Sequence, residues 1–124
     1  MEFKNHVQLV GRLGSDPIVR ETKNGKVARF SIATNEQYSE NGQVKNNTQW
    51  HNIVAWQGIA ERIERQVHKG SLVYLEGKLR TRQWTDQNNS RHYVTEIFVD
   101  QFELLKNPSQ NENVPPTDNS GSPD

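Results

Sequence analysis

The hydrophobic pattern of this chain changes its period only once. Between Gln57 and Gly70 apolar residues recur about every 3.6 positions, with Ile59, Ile63 and Val67 on one stripe, and this spacing predicts a helix. Elsewhere the apolar runs are short and approach a period of two, which indicates β-strands. A chain of 124 residues with one helix among strands fits a small β-barrel with one modest core.

Strand patterns occur in five regions, three before the helix and two after it. They cover residues 6–13, 18–20 with 27–33, 50–56, 72–84 and 93–105. Asn24-Gly25 predicts a tight hairpin, while the polar residues 35–49, which include Asn41-Gly42, and residues 85–92 predict loops, the first long and mobile. This order is typical of the OB-fold. We therefore predict an all-β protein with one helix: a five-stranded Greek-key barrel with the helix between strands 3 and 4 and extended hairpin loops.

The C-terminal residues differ in composition from the rest of the chain. Residues 107–124 contain four of the five prolines and one aliphatic residue, so they cannot build a core, and we predict that they are disordered. All 15 basic residues lie in residues 1–106 with 12 of the 15 acidic ones, so this part is net basic and the remainder net acidic. We predict one folded domain, residues 1–106, and an acidic Pro/Asn/Ser-rich tail, residues 107–124.

Composition also excludes several classes of protein. The chain has no cysteine, which excludes a disulfide scaffold, a thiol nucleophile and a Cys-ligated zinc site. No apolar stretch approaches the ~20 residues that a membrane helix needs, and the first residues show no signal-peptide core. We therefore predict a cytoplasmic protein without membrane contact.

The polar residues do not form a recognisable catalytic or metal site. No two of the four histidines are spaced four positions apart, and Glu64 with His68 would give a metal ion only two ligands. Glu61 and Glu64 alternate with Arg62 and Arg65, which is typical of a solvated helix face with local ion pairs rather than of a paired acid and base. We predict no enzymatic activity, no metal and no cofactor.

One strand pattern points to nucleic acid. A period of two in residues 72–84 puts mainly apolar residues on one face, and on the other it puts Lys78, Arg80, Arg82 and Trp84. Three cations beside an indole suit a single strand of nucleic acid, because cations neutralise phosphates and any base can stack on an indole. Such contacts do not read base edges, so we expect preference for single-stranded form with little preference for sequence.

Other interpretations stay open at this point. Trp50 and Trp56 share a strand face, but with Asn52 and Val54 between them they could equally be ordinary barrel residues. An RNA-binding OB module would use the same stacking and phosphate contacts. In a protein-interaction module the tryptophans would form a protein interface, and an enzyme would need a nucleophile or metal that the sequence does not offer.

Four blocks of the sequence resemble bacterial single-stranded DNA-binding proteins. They are VQLVGRLGSDPIVR (7–20), WHNIVAW (50–56), KGSLVYLEGKLRTRQWTD (69–86) and YVTEIFV (93–99). They occur in that family's order and spacing, and the likeness spans residues 5–105. The resemblance implies an OB-fold that assembles as a homotetramer and is associated with the nucleoid. It also implies binding and protection of single-stranded DNA during replication, recombination and repair.

The resemblance also implies roles for individual residues. The family's base-stacking positions fall on Tyr38, Trp50, Trp56 and Trp84. Phosphate contacts are implied for Lys69, Lys78, Arg80 and Arg82, and more weakly for Arg12, Arg20 and Arg29. His51 follows Trp50 and lies on the opposite face of the strand. The resemblance implies a contact between subunits for His51, and simple packing is an equal alternative.

The tail departs from the pattern of this family. Members usually carry a long linker with acidic residues and a Phe-terminated tip that recruits partner enzymes. Here only Glu112, Asp118 and Asp124 supply charge, and no aromatic residue follows them. We therefore expect a short form in which docking of replication and repair proteins is weak or absent.

Overall fold

The computed structural model describes residues 4–108, which form six strands and one helix. In chain order the elements are β1 (Val7–Leu13), β2 (Ile18–Thr22), β3 (Gly25–Glu40), β4 (Gln43–Trp56), α1 (Gln57–Gln66), β5 (Leu72–Thr85) and β6 (Arg91–Lys106). The strands form one sheet in the order β1-β5-β6-β4-β3-β2, and β1 also pairs with β3, so the sheet closes into a barrel. In the described part of the chain no helix is long and apolar enough to span a bilayer.

The predicted barrel with one helix is confirmed, but the strand count differs. Ile18–Thr22 is a strand of its own, because the turn at Asn24 and Gly25 lets five residues pair antiparallel with β3. Gly25 has a φ of 117°, a value that favours glycine. The helix consequently follows the fourth strand and precedes the fifth, and the prediction that it lies between strands 3 and 4 is wrong.

The two predicted loops are largely paired strand. β3 and β4 stay in register from Val27 opposite Trp56 to Glu40 opposite Gln43, so residues 35–49 are not a long loop. Only Asn41 and Gly42 turn the chain, both with positive φ. Residues 35–50 are exposed on both sides of the hairpin, so the apolar alternation that marks a strand is missing there. Between β5 and β6 only residues 86–90 are left as a turn.

Both hairpins thus extend beyond the barrel as two-stranded ribbons. We call residues 35–48 the β3–β4 ribbon and residues 80–95 the β5–β6 ribbon. Most side chains in both are exposed. The other halves of the same four strands build the barrel wall.

The core lies inside the barrel and beneath α1. Alternate residues of the strands point inward, as their period of two predicts, and α1 contributes one apolar stripe. Burying each of these larger aliphatic or aromatic side chains contributes about 1.5 to 3 kcal/mol. The fully buried members include Ala28, Ile32, Ile53, Ala55, Ala60, Ile63, Val73 and Leu75.

The helix ends earlier than its hydrophobic period predicts. Val67 adopts an extended conformation, with φ −115° and ψ 136°, although its side chain stays in the core. The amide of His68 then donates to Ser71 Oγ at 2.9 Å, and Gly70 has a φ of 90°. A tight turn therefore replaces the last predicted helical turn, and Gly70 ends that turn rather than the helix.

Two glycines allow strand backbones to approach closely. A Cβ atom on Gly11 would collide with the carbonyl oxygen of Ala33, where β1 crosses β3. A Cβ atom on Gly77 would collide with the carbonyl oxygen of Phe98, beside a register shift between β5 and β6. Because backbone cannot move aside as a flexible side chain can, the barrel requires glycine at both positions.

The chain after β6 is anchored to the turn that follows α1. Ser71 Oγ donates a hydrogen bond to Asn107 Oδ1, and Asn107 Nδ2 donates to the Gln66 carbonyl at 3.0 Å. These contacts lie one residue beyond the predicted boundary of the folded domain. The rest of the predicted tail, residues 109–124, lies outside the described residues.

Candidate nucleic-acid interface

Strand β5 carries two different faces, as its alternating sequence predicts. Val73, Leu75 and Gly77 are buried inside the barrel. The other face lies outside, and its exposed members are Lys78, Arg80, Arg82 and Trp84. A row of cations that ends in an indole therefore runs from the barrel wall along the β5–β6 ribbon.

A buried carboxylate connects this row to strand β3. Glu96 on β6 has only 5% of its side chain exposed, and its two oxygens accept from different arginines. Arg29 Nη1 donates to Oε2 at 2.6 Å, and Arg82 Nε donates to Oε1 at 3.2 Å. Since each guanidinium has five N–H donors and about half of each arginine side chain is exposed, both keep donors for a ligand. Glu96 thus fixes two cations from different strands side by side.

A shallow groove of about 320 Å³ lies around these arginines. Its walls come from strands β2, β3, β4, β5 and β6 and from the β1–β2 turn, with Asn52 and Val94 beside the charged residues. We call it the outer groove. It combines guanidinium and amide donors with apolar surface, which is the mixture that a sugar-phosphate chain with attached bases requires.

The other two cations of the row differ in their surroundings. The Arg80 guanidinium lies over the Phe98 ring, with its central carbon 5.0 Å from the ring centroid. Lys78 stands opposite Phe98 in the β5–β6 register and is exposed, and no ion pair to it is found among residues 4–108. Lys78 is therefore the cation of this row least engaged by other protein groups.

Trp50 lies on the outside of β4, where its side chain rests on the β1–β2 turn. Trp50 is 60% exposed, and a Cβ atom added to Gly14 would come within 2.6 Å of its indole. Glycine at position 14 thus lets the ring lie close against the backbone. The Gly14 amide donates to the Ser31 carbonyl on β3 at 3.2 Å, two residues before Ala33, which pairs with Trp50, and this hydrogen bond holds the turn in place.

Trp56 shares this outer side of β4 and is partly exposed at the point where α1 begins. Through Val27 it is in register with Arg20 of β2, so an exposed cation lies two strands away on the same side. The structure therefore places Trp50, Trp56, Arg20 and Arg29 on one side of the sheet.

Trp84 does not stand alone at the end of β5. Its indole stacks on the imidazole of His92, its partner across the hairpin, with ring centroids 4.4 Å apart and planes inclined by 21°. His92 Nε2 lies 2.7 Å from Asp86 Oδ2. The hydrogen bond from His92, supported by the amides of Ser90 and Asn88, holds the pKa of Asp86 below its ordinary value.

Tyr38 lies apart from the other stacking candidates. It is 47% exposed on the β3–β4 ribbon, opposite Lys45. The uninterrupted register puts Tyr38 and Lys45 on the side of the hairpin that carries Ile53, and Trp50 on the other side. A DNA strand that contacted both Tyr38 and Trp50 would therefore have to follow the twist of the ribbon.

Three further predicted residues do not line the outer groove. Lys69 precedes β5 and lies at the groove's edge, where its amide donates to Oδ1 of the lining residue Asp16 at 2.7 Å. Arg12 Nη1 donates to the Gly70 carbonyl at 2.8 Å, which ties this guanidinium to the turn after α1. His51 is partly buried, and its Nε2 lies 2.9 Å from Thr34 Oγ1. The structure gives His51 a packing contact within the chain.

No sequence pattern identifies four residues that support the site: Glu96, His92, Asp86 and Gly14. The role of each depends on a partner in another strand or turn, and the period of a single strand does not predict that partner. The register of the β5–β6 hairpin pairs His92 with Trp84, whereas the polar composition of residues 85–92 predicts a loop. Among residues 4–108 no group of three or more metal-ligating side chains occurs.

Comparisons with known proteins agree with this geometry. Residues 4–105 match the model of the "Single-strand binding protein family". The chain is 45% identical over 105 residues to a "Single-stranded DNA-binding protein" of Bacteroides thetaiotaomicron, and the match covers 82% of this chain. It covers 65% of that relative, which is less than two thirds of its length.

A solved structure is also similar. The structure described as "Plasmodium falciparum SSB complex with ssDNA" superposes with a TM-score of 0.79 at 35% sequence identity. The match covers 86% of this chain and 98% of that chain. The similarity therefore extends over nearly the whole of the compared domain.

Proposed function

The chain belongs to the single-strand binding protein family, and from this premise we propose that it binds and protects single-stranded DNA without sequence preference. The carrying observation is the row of Lys78, Arg80, Arg82 and Trp84 on the outside of β5, joined to Arg29 through Glu96. The cations would neutralise phosphates, and Trp84, Trp50 and Trp56 would take bases. The similar structure with bound single-stranded DNA supports the same ligand here.

The expected affinity follows from these groups. Stacking of one base on an aromatic ring contributes roughly 1 to 3 kcal/mol, and each neutralised phosphate steepens the log–log salt dependence by about 0.7 for a single strand. Three or four stacking residues would give firm binding. Duplex DNA would bind poorly, because paired bases do not expose their faces to the indoles.

A competition experiment tests this function. Fluorescence polarisation of a labelled oligo-dT should rise on addition of the protein and fall with unlabelled single-stranded DNA but not with duplex DNA. Lys78→Ala should reduce the salt slope by about 0.7, whereas the control Arg65→Ala, on the helix, should leave it unchanged. Equal competition by duplex, or no binding to oligo-dT, would contradict the proposal. Preferential competition by matched RNA would favour the RNA-binding alternative.

We also propose the assembly and cellular role of this family for the chain. Residues 1–106 would form the DNA-binding domain of a homotetramer that acts at the nucleoid in replication, recombination and repair, without catalytic activity. The acidic residues of the segment 107–124 have no aromatic neighbour, so docking of replication and repair enzymes there would be weak. Light scattering would test the tetramer, and a pull-down with and without that segment would test docking.

A further inference from the structure

The Asp86 carboxylate supports the turn of the β5–β6 ribbon together with backbone hydrogen bonds. Asp86 Oδ1 accepts from the amide of Asn88 at 2.8 Å and from that of Ser90 at 3.0 Å. The backbone closes the same turn, since the Asp86 amide donates to the Ser90 carbonyl and the Asn89 amide to the Asp86 carbonyl. Asn89 has a φ of 64°, which Asn tolerates better than most residues. One oxygen of Asp86 therefore fixes the turn.

The other oxygen of Asp86 fixes an aromatic ring. Oδ2 lies 2.7 Å from His92 Nε2, and the His92 imidazole stacks on Trp84 with ring centroids 4.4 Å apart. A continuous set of contacts thus leads from the turn through Asp86 and His92 to Trp84. His92 covers one face of the indole, and 46% of Trp84 remains exposed.

The contact with His92 restricts the rotation of a side chain that lies on an exposed ribbon. Trp84 is 46% exposed and lies beyond the core, so no packed interior restricts its side-chain torsions. A ring that is free to rotate loses that freedom when a base stacks on it, which weakens binding. A ring already held against His92 avoids most of this loss.

We propose that His92, anchored by Asp86, is a positioning residue that presents the open face of Trp84 to a nucleobase. The inference rests on the proposed binding of single-stranded DNA and adds two residues to that site. His92 acts through Trp84 and need not touch the DNA. The turn, residues 86–90, thereby becomes part of the binding site through Asp86.

A double-mutant cycle tests whether His92 acts through Trp84. His92→Ala should weaken oligo-dT binding by about 2- to 10-fold, which is the range expected for one immobilised side chain. In a Trp84→Ala background the same substitution should cause no further loss, because the ring to be positioned is gone. His92→Phe, which keeps a stacking ring, should restore most of the affinity. His68→Ala, an exposed histidine elsewhere, serves as the matched control and should bind as wild type.

The outcomes separate this inference from the proposed function. If the wild-type protein fails to bind oligo-dT, the proposed function is wrong. If it binds and His92→Ala binds equally well, or weakens binding as much with Trp84 absent as with Trp84 present, the positioning role is wrong.

A measurement on the free protein adds an independent check. In a Trp50→Phe/Trp56→Phe protein all tryptophan emission comes from Trp84. His92→Ala should lower the fluorescence anisotropy of Trp84 without changing the far-UV circular dichroism. An unchanged anisotropy would contradict the inference, and a changed circular dichroism spectrum would show that the variant is misfolded, in which case His92→Phe decides the matter.

Discussion

The two halves of the long strands differ in what holds them together. In the barrel, β3, β4, β5 and β6 pack apolar side chains against one another and against α1, and backbones approach at Gly11 and Gly77. In the two ribbons most side chains are exposed, and local polar or ring contacts such as that of Asp86 with His92 replace the core. The barrel interior therefore supplies stability, and the ribbons and the outer side of the barrel supply the proposed binding groups.

This difference implies that stability and binding can be changed separately. A substitution in the barrel wall should lower the free energy of unfolding, whereas one in a ribbon should lower affinity and leave folding nearly unchanged. The outer groove lies between the two regions, because Glu96 is buried while its arginine partners are half exposed. Substitution there should affect both properties.

The largest expected effect comes from the barrel. Gly77→Val would force a side chain against the Phe98 carbonyl, so we expect the free energy of unfolding to fall by roughly 3 kcal/mol. Gly58→Ala is the matched control, because a Cβ atom there meets nothing within 4 Å and alanine favours the helix. Denaturation by urea measures both. Equal midpoints for the two variants would show that close strand approach at Gly77 is unimportant.

The next effect separates the ribbons from the barrel. Trp84→Ala should weaken oligo-dT binding by about 2 kcal/mol, the contribution of one stacked base, while stability changes by less than about 1 kcal/mol. Tyr38→Ala, on the other ribbon, should cost less, because no ring stacks on Tyr38 within residues 4–108 and Tyr38 lies on the opposite side of its hairpin from Trp50. Titration of both variants with one oligomer decides the order. A larger loss for Tyr38→Ala would place the main stacking site on the β3–β4 ribbon.

Glu96→Gln tests the boundary between the regions. Loss of the shared carboxylate should lower stability by about 1 to 2 kcal/mol, because two hydrogen bonds to charged groups are weakened. It also removes one negative charge beside Arg29 and Arg82, so the salt slope of DNA binding should steepen by up to about 0.7. Glu103→Gln changes the net charge equally at an exposed position of β6 and should alter neither property. If both variants change the slope alike, the arginines at Glu96 do not contact phosphate.

The smallest effect concerns acid stability at the ribbon turn. The folded-state pKa of Asp86 lies below its ordinary value of 3.8, mainly because of the hydrogen bond from His92. The resulting stabilisation is fully present above that ordinary pKa and is lost as the pH falls through the lowered one. Asp86→Asn should therefore flatten the decline of stability below about pH 4, relative to wild type and to the control Asp100→Asn. Identical pH profiles for all three proteins would contradict the assigned cause.

Much of the barrel could be predicted from the sequence because burial on one face imposes a period. The alternation in β5 correctly separated Val73 and Leu75 from Arg80 and Arg82, and the period of 3.6 located α1. The Asn41-Gly42 turn was also visible. The paired residues around it have the pattern of a loop, because a ribbon exposed on both sides has no apolar alternation.

The rest could not be predicted because it depends on pairing between strands. Glu96 meets Arg29 across the sheet, 67 positions away in the chain, and no local pattern marks it. His92 reaches Trp84 only through the hairpin register, which depends on where the turn begins. Trp50 rests on Gly14, which in the sequence is only part of a turn signal.

The most direct test of the central claim, that the outer groove and the three tryptophans bind single-stranded DNA, is tryptophan emission during titration with oligo-dT. The account predicts strong quenching that saturates, weakens at high salt, and is largely absent with duplex DNA. Absence of quenching by oligo-dT at both low and high salt would contradict it, since all three tryptophans are assigned to the interface.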